Sequence, residues 1–84
     1  MNYTEQEQKA INAIKNIYDR ELQKVDFNKR VKLFEMLEND ILKIEDDTER
    51  EIAKEALYNC KYAKKILMLR AVDNAVNEIL KKNK

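Results

Sequence analysis

Glycine, proline, histidine and tryptophan are all missing from this 84-residue chain, and each absence closes off a class of structure or chemistry. Without glycine or proline the chain lacks the residues that make two-residue hairpin turns, phosphate-cradling loops and tight strand corners. Without histidine it lacks the usual general base and the usual activator of a nucleophile. Serine is missing as well, and the only threonines, Thr4 and Thr48, stand where helices are expected to start. The single cysteine, Cys60, can form neither an internal disulfide nor a cysteine metal site, and it reads as a small core residue. The carboxylates Glu45, Asp46, Asp47, Glu49 and Glu51 have neither the alternating ligands and central glycine of an EF-hand nor the Glu-x-x-His pairs of a di-iron bundle. They read as a solvated turn followed by helix-start acids. The expectation is a protein that is not an enzyme, with no catalytic residues, no cofactor and no metal.

No apolar run approaches the roughly 20 residues of a membrane span. The opening Met-Asn-Tyr-Thr-Glu-Gln also lacks the basic and apolar regions of a signal peptide, so a cytoplasmic location is expected.

What is present points to helices. Hydrophobic residues make up 44% of the chain and charged residues 39%, with a net charge of only +1, which suits mixed charges on the solvated faces of a folded domain. The balance is uneven along the chain: residues 1–50 hold nine basic and twelve acidic residues, whereas residues 51–84 hold eight basic and four acidic. The length suits one helical domain over residues 1–84 with a modest core.

Thr4-Glu-Gln-Glu7 has the capping-box form, in which hydroxyl and carboxylate reciprocally satisfy the free amides of a helix start. Ile11, Ile14, Tyr18, Leu22 and Val25 follow at spacings of three and four, which predicts a first helix to about Lys24. Asp26 can cap a second helix whose stripe is Phe27, Val31, Phe34, Leu37, Ile41 and Ile44. Thr48-Glu-Arg-Glu51 repeats the capping-box form and predicts a third helix burying Ile52, Ala56, Cys60, Ala63 and Leu67.

This last helix is expected to run unbroken to about Leu80, the alternative being a break near Val72-Asp-Asn74. The architecture expected is therefore an all-α antiparallel bundle of three long helices, or four, with the last the longest. Its predicted core is Ile14, Tyr18, Leu22, Phe34, Leu37, Ile41, Ala56, Cys60, Ala63 and Leu67.

The stretch Lys64-Lys-Ile-Leu-Met-Leu-Arg-Ala-Val72 puts apolar side chains on every side of a helix, so it must be covered on several sides. The first two helices are too short to cover all of the last one. Val72, Val76, Ile79 and Leu80 are thus the candidate partner-binding residues, with a homodimer the simplest outcome. Within the stretch, Arg70 is expected to pair with Glu35, Glu38 or Asp19.

A second candidate surface is Lys54, Tyr58, Lys61, Tyr62 and Lys65, whose spacing on one continuous helix would mix cations with aromatics. Such a face could hold an acidic partner, or phosphates with rings stacked on bases. It could equally be rings capping the core beside solubilising lysines.

Glu21-Leu-Gln-Lys-Val-Asp-Phe27, followed by a helix, an acidic loop and Ala63-Lys-Lys-Ile-Leu-Met-Leu-Arg70, resembles the helical domain of GINS DNA replication-factor subunits. The resemblance spans roughly residues 15–80. It implies assembly with other replication proteins through helix faces, without catalysis, although those subunits carry a β-rich domain for which this chain has no strands. The function expected is a small non-catalytic helical module for protein–protein interaction, self-associating or docking on a larger assembly, with no small-molecule substrate. The alternative is a small nucleic-acid-binding protein using the basic and aromatic face.

Overall fold

The structure, a computed structural model, describes residues 3–82, and these are helical with short connections and no strand. Helix α1 spans Glu5–Gln23, α2 spans Phe27–Leu42, α3 spans Asp47–Tyr58 and α4 spans Lys64–Lys82, with one 3₁₀ turn at Lys61–Ala63. The described residues therefore form four helices, the second of the two numbers expected from sequence.

The first three starts are each fixed by a side-chain cap. At α1 the Thr4 hydroxyl accepts from the Glu7 amide at 3.1 Å, and the Glu7 carboxylate accepts from the Thr4 amide at 2.9 Å. At α2 the Asp26 carboxylate accepts from the Lys29 amide at 3.0 Å. The third start differs from the sequence expectation: Asp46, and not Thr48, caps α3, accepting from the Glu49 amide at 2.9 Å. Aspartate outranks threonine at this position, and its charge also suits the positive end of the helix dipole. Thr48 is left inside the first turn.

The helix ends are closed without glycine, and no described residue has a positive φ. Arginines take over the task of satisfying the last carbonyls. Arg30 reaches back from α2 to donate to the Leu22 and Val25 carbonyls at 2.7 and 3.0 Å, and Arg50 reaches from α3 to the Ile44 carbonyl at 2.8 Å. Arg50 also pairs with Asp47.

The largest departure from the sequence reading lies at Asn59-Cys60. The run from Thr48 is not one helix and does not break near Asp73; it breaks here, and α4 then continues through Asp73 to Lys82. Asn59 ends α3 by turning its side-chain amide onto the Glu55 carbonyl at 2.7 Å, a local bond that competes with the helical ladder. Cys60 follows in an extended conformation. The consequence for length is direct: α4 has 19 residues, the same as α1, so the last helix is not the longest.

The core is built from Leu22, Phe34, Ile41, Ala53, Leu57, Cys60, Ala63 and Ile66, with α1 and α2 both packed on α3. Of the predicted core, Leu22, Phe34, Ile41, Ala56, Cys60 and Ala63 are buried, while Ile14, Tyr18, Leu37 and Leu67 are half-buried. Leu57 at 0% and Ile66 at 2% exposure are buried where Ile52 and Leu67, side chains of the same size, are only half-buried. The bend at Cys60 resets the helical phase, so a stripe counted straight through it lands on Leu67 rather than Ile66.

Candidate interaction surface

Helix α4 is attached to the core by its first two turns. Ile66 is buried and Leu67 is half-buried against the cluster. One turn later, Arg70 makes a two-pronged contact with Glu38 of α2, its guanidinium nitrogens 2.9 and 2.6 Å from the two carboxylate oxygens. Glu38 also accepts from the Tyr58 hydroxyl at 2.9 Å, and the Arg70 guanidinium lies 5.1 Å from the Phe34 ring centroid. Arg70 therefore pairs with one of the three carboxylates expected from sequence.

The hydrogen bonds from Arg70 hold the Glu38 carboxyl below its ordinary value, against partial burial and with help from Tyr58. Burial, and then the Glu38 contact, push the Tyr58 phenol above its ordinary value.

Beyond Arg70 the burial stops. Every described residue from Ala71 to Lys82 is exposed, twelve residues or about 18 Å of helix. The molecule is correspondingly elongated, at 49 × 29 × 21 Å. The predicted partner-binding residues Val72, Val76, Ile79 and Leu80 all lie on this projecting segment, each between 47% and 59% exposed.

The structure adds Met68 and Leu69, also exposed, which the sequence reading had placed in the covered stretch. At 100° per residue, Met68, Leu69, Val72, Ala75, Val76, Ile79 and Leu80 form one apolar arc, about 150° around the helix from Ile66, Leu67 and Arg70. The helix is thus greasy on two sides, and the core covers one of them. The heptad-like spacing of Leu69, Val72, Val76 and Ile79 was the signal that could have separated the second side from the first.

The basic and aromatic residues do not form the single face expected of a continuous helix. Lys54 and Tyr58 are on α3, Lys61 and Tyr62 are in the 3₁₀ turn and Lys65 is on α4, so the bend divides them. Their rings also have partners within the chain. Tyr58 donates to Glu38, while the Tyr62 ring lies 4.7 Å from the Arg30 guanidinium and 5.6 Å from the Lys61 ammonium. Lys65 sits 4.6 Å from the centroid of the Phe27 ring. Lys54 and Tyr58 instead line a groove of about 260 Å³ between α2 and α3, together with Glu38, Leu42, Arg50 and Leu57. Its walls carry both signs of charge.

Cys60 is buried, its thiol 3.3 Å from the Ala56 carbonyl, and burial followed by the nearby Asp19 carboxylate pushes its pKa up to about 12. Such a thiol stays protonated and is a poor nucleophile. Among the described residues no three His, Cys, Asp or Glu side chains cluster to hold a metal ion, and no helix is long and apolar enough to cross a membrane.

Compared with protein-family models, with curated proteins and with solved structures, the chain has no significant match.

Proposed function

We propose that the protein is a small, non-catalytic helical interaction module that works by presenting the outward stripe of α4 to a protein partner, either a second copy or a larger assembly. The observation that carries this reading is the apolar arc from Met68 to Leu80 on a helix whose last twelve described residues are all exposed. Exposed patches of a few hundred Å² on soluble proteins mark association surfaces. Completing the burial of a half-exposed Val, Leu, Ile or Met contributes about 1 kcal/mol, so six such side chains supply several kcal/mol before ordering costs.

A lone helical stretch of about twelve residues is marginal in water, so coverage of the stripe would also secure the helix. Docking on a replication assembly of the GINS kind is the narrower version of the reading, and the resemblance over residues 15–80 is its support. An antiparallel course of α1, α2 and α3 belongs to the same proposal, and the three- and four-residue turns between them support it. The lone buried thiol of Cys60 suits a reducing compartment such as the cytoplasm.

The test is residue-specific carbon secondary shifts of residues 71–82, compared between wild type and Val76→Glu/Leu80→Glu over a wide concentration range. A helical arm, or one that becomes helical as the protein associates, is the expected result. Random-coil shifts at every concentration, in a monomer whose melting is unchanged by the double substitution, would mean a frayed end and no interaction module.

A further inference from the structure

We infer that the occupant of the stripe is a second copy of this chain, with the two α4 helices side by side and parallel about a two-fold axis. The inference rests on the interaction reading and adds the identity and geometry of the partner. Leu69, Val72, Val76 and Ile79 follow one another at intervals of three, four and three, the alternation by which one helix seam packs against a copy of itself. No charged residue lies within this seam.

Attachment leaves room for the pairing. Ile66 and the Arg70–Glu38 contact tie each helix to its core on the side away from the seam. Two copies paired through the seam therefore carry their cores on the outer flanks, clear of each other.

Charge selects the direction. In the parallel arrangement the flanking positions bring Met68 beside the partner's Asp73 and Ala75 beside the partner's Leu80, so neither flanking pair opposes like charges. An antiparallel pair with the full seam in register sets Asp73 against Asp73, which like-charge repulsion disfavours, while the lysines at the two ends of α4 meet like charge in either direction. Charge also limits the number of copies. In a ring of three or four arms the flanking positions become interior, and Asp73 would be desolvated facing Met68 rather than a cation. Two arms leave Asp73 on a wet rim.

The contact is small: two stripes of a few hundred Å² each come to at most about 1,000 Å², below the standard size of specific interfaces. The dimer is therefore concentration-dependent.

Light scattering and sedimentation equilibrium across concentration should show the mass rising from one protomer to two and no further. Val76→Asp should raise the midpoint concentration at least tenfold while leaving the core folded. Val76→Cys should give a disulfide-linked dimer under mild oxidation, because residue 76 meets its own copy only in the parallel pair. The wild type, with Cys60 buried, is the control. A wild type that stays monomeric with helical shifts over residues 71–82 would overturn the second copy while leaving the interaction reading intact. A dimer in which Val76→Cys does not cross-link would overturn the parallel geometry, and a mass of three or four protomers would overturn the two-fold.

Discussion

Glu38 is the residue on which most depends, because it accepts hydrogen bonds from Arg70 of α4 and Tyr58 of α3 at once. Its side chain is 18% exposed and that of Arg70 39%, so the pair is partly screened by solvent, and Glu38→Gln should cost about 1–2 kcal/mol. The pH dependence follows from the directions of the shifts. Folding depresses the Glu38 carboxyl, so its contribution is fully present above the ordinary carboxyl value and is lost as pH falls through the lower folded value. Folding raises the Tyr58 phenol, so that contribution is present below the ordinary phenol value of 10.0 and is lost as pH rises through the higher folded one. Thermal melts from pH 3 to 11 should show a plateau with both limbs, and Glu38→Gln should flatten the acid limb. Cys60 makes a second residue-level prediction. With its thiol buried and its pKa near 12, alkylation at pH 8 should proceed only through unfolding and speed up sharply in denaturant.

Among the elements, α3 separates what was legible in the sequence from what was not. Thr4-Glu7 and Asp26 were readable as caps because each stands immediately before an apolar period. At the third start two candidates stood two residues apart, and motif shape favoured Thr48 where charge and intrinsic rank favour Asp46. Asp46→Ala should therefore cost about 1 kcal/mol and Thr48→Ala should be near neutral in chemical denaturation. Equal costs would restore the Thr48 capping box. The break at Asn59-Cys60 was hidden for a different reason. In a chain without glycine or proline it is made by an asparagine side chain turned onto its own helix, which leaves the apolar spacing almost undisturbed. The arginine contacts that close α1 and α2 were equally invisible, since they join residues five to eight apart across a turn.

At the scale of the molecule, the outer stripe of α4 was legible and the inner one was not. Val72, Val76, Ile79 and Leu80 were singled out on the expectation of one long last helix that the others could not cover; the bend removes that premise, and they are exposed because α4 projects past its attachment at Arg70. Choosing Ile66 over Leu67 as the core residue needed knowledge of the bend. Ile66→Ala should cost about 2–5 kcal/mol and Leu67→Ala distinctly less, measured by urea unfolding. Reversed values would mean that α4 is rotated on its core. The basic and aromatic residues divided by the same bend bear on nucleic acid as well. With Tyr58 and Tyr62 engaged inside the chain, titration at low salt should show no steeply salt-dependent DNA or RNA binding.

The three- and four-residue turns have a further consequence, which concerns time. They join α1 to α2 and α2 to α3, so no long loop has to close before the first three helices can pack, the arrangement that speeds folding. With no proline, no X-Pro bond has to isomerise on the way. The monomer should refold in a single phase within milliseconds, and any slower, concentration-dependent step seen in a dilution jump should report the meeting of two arms.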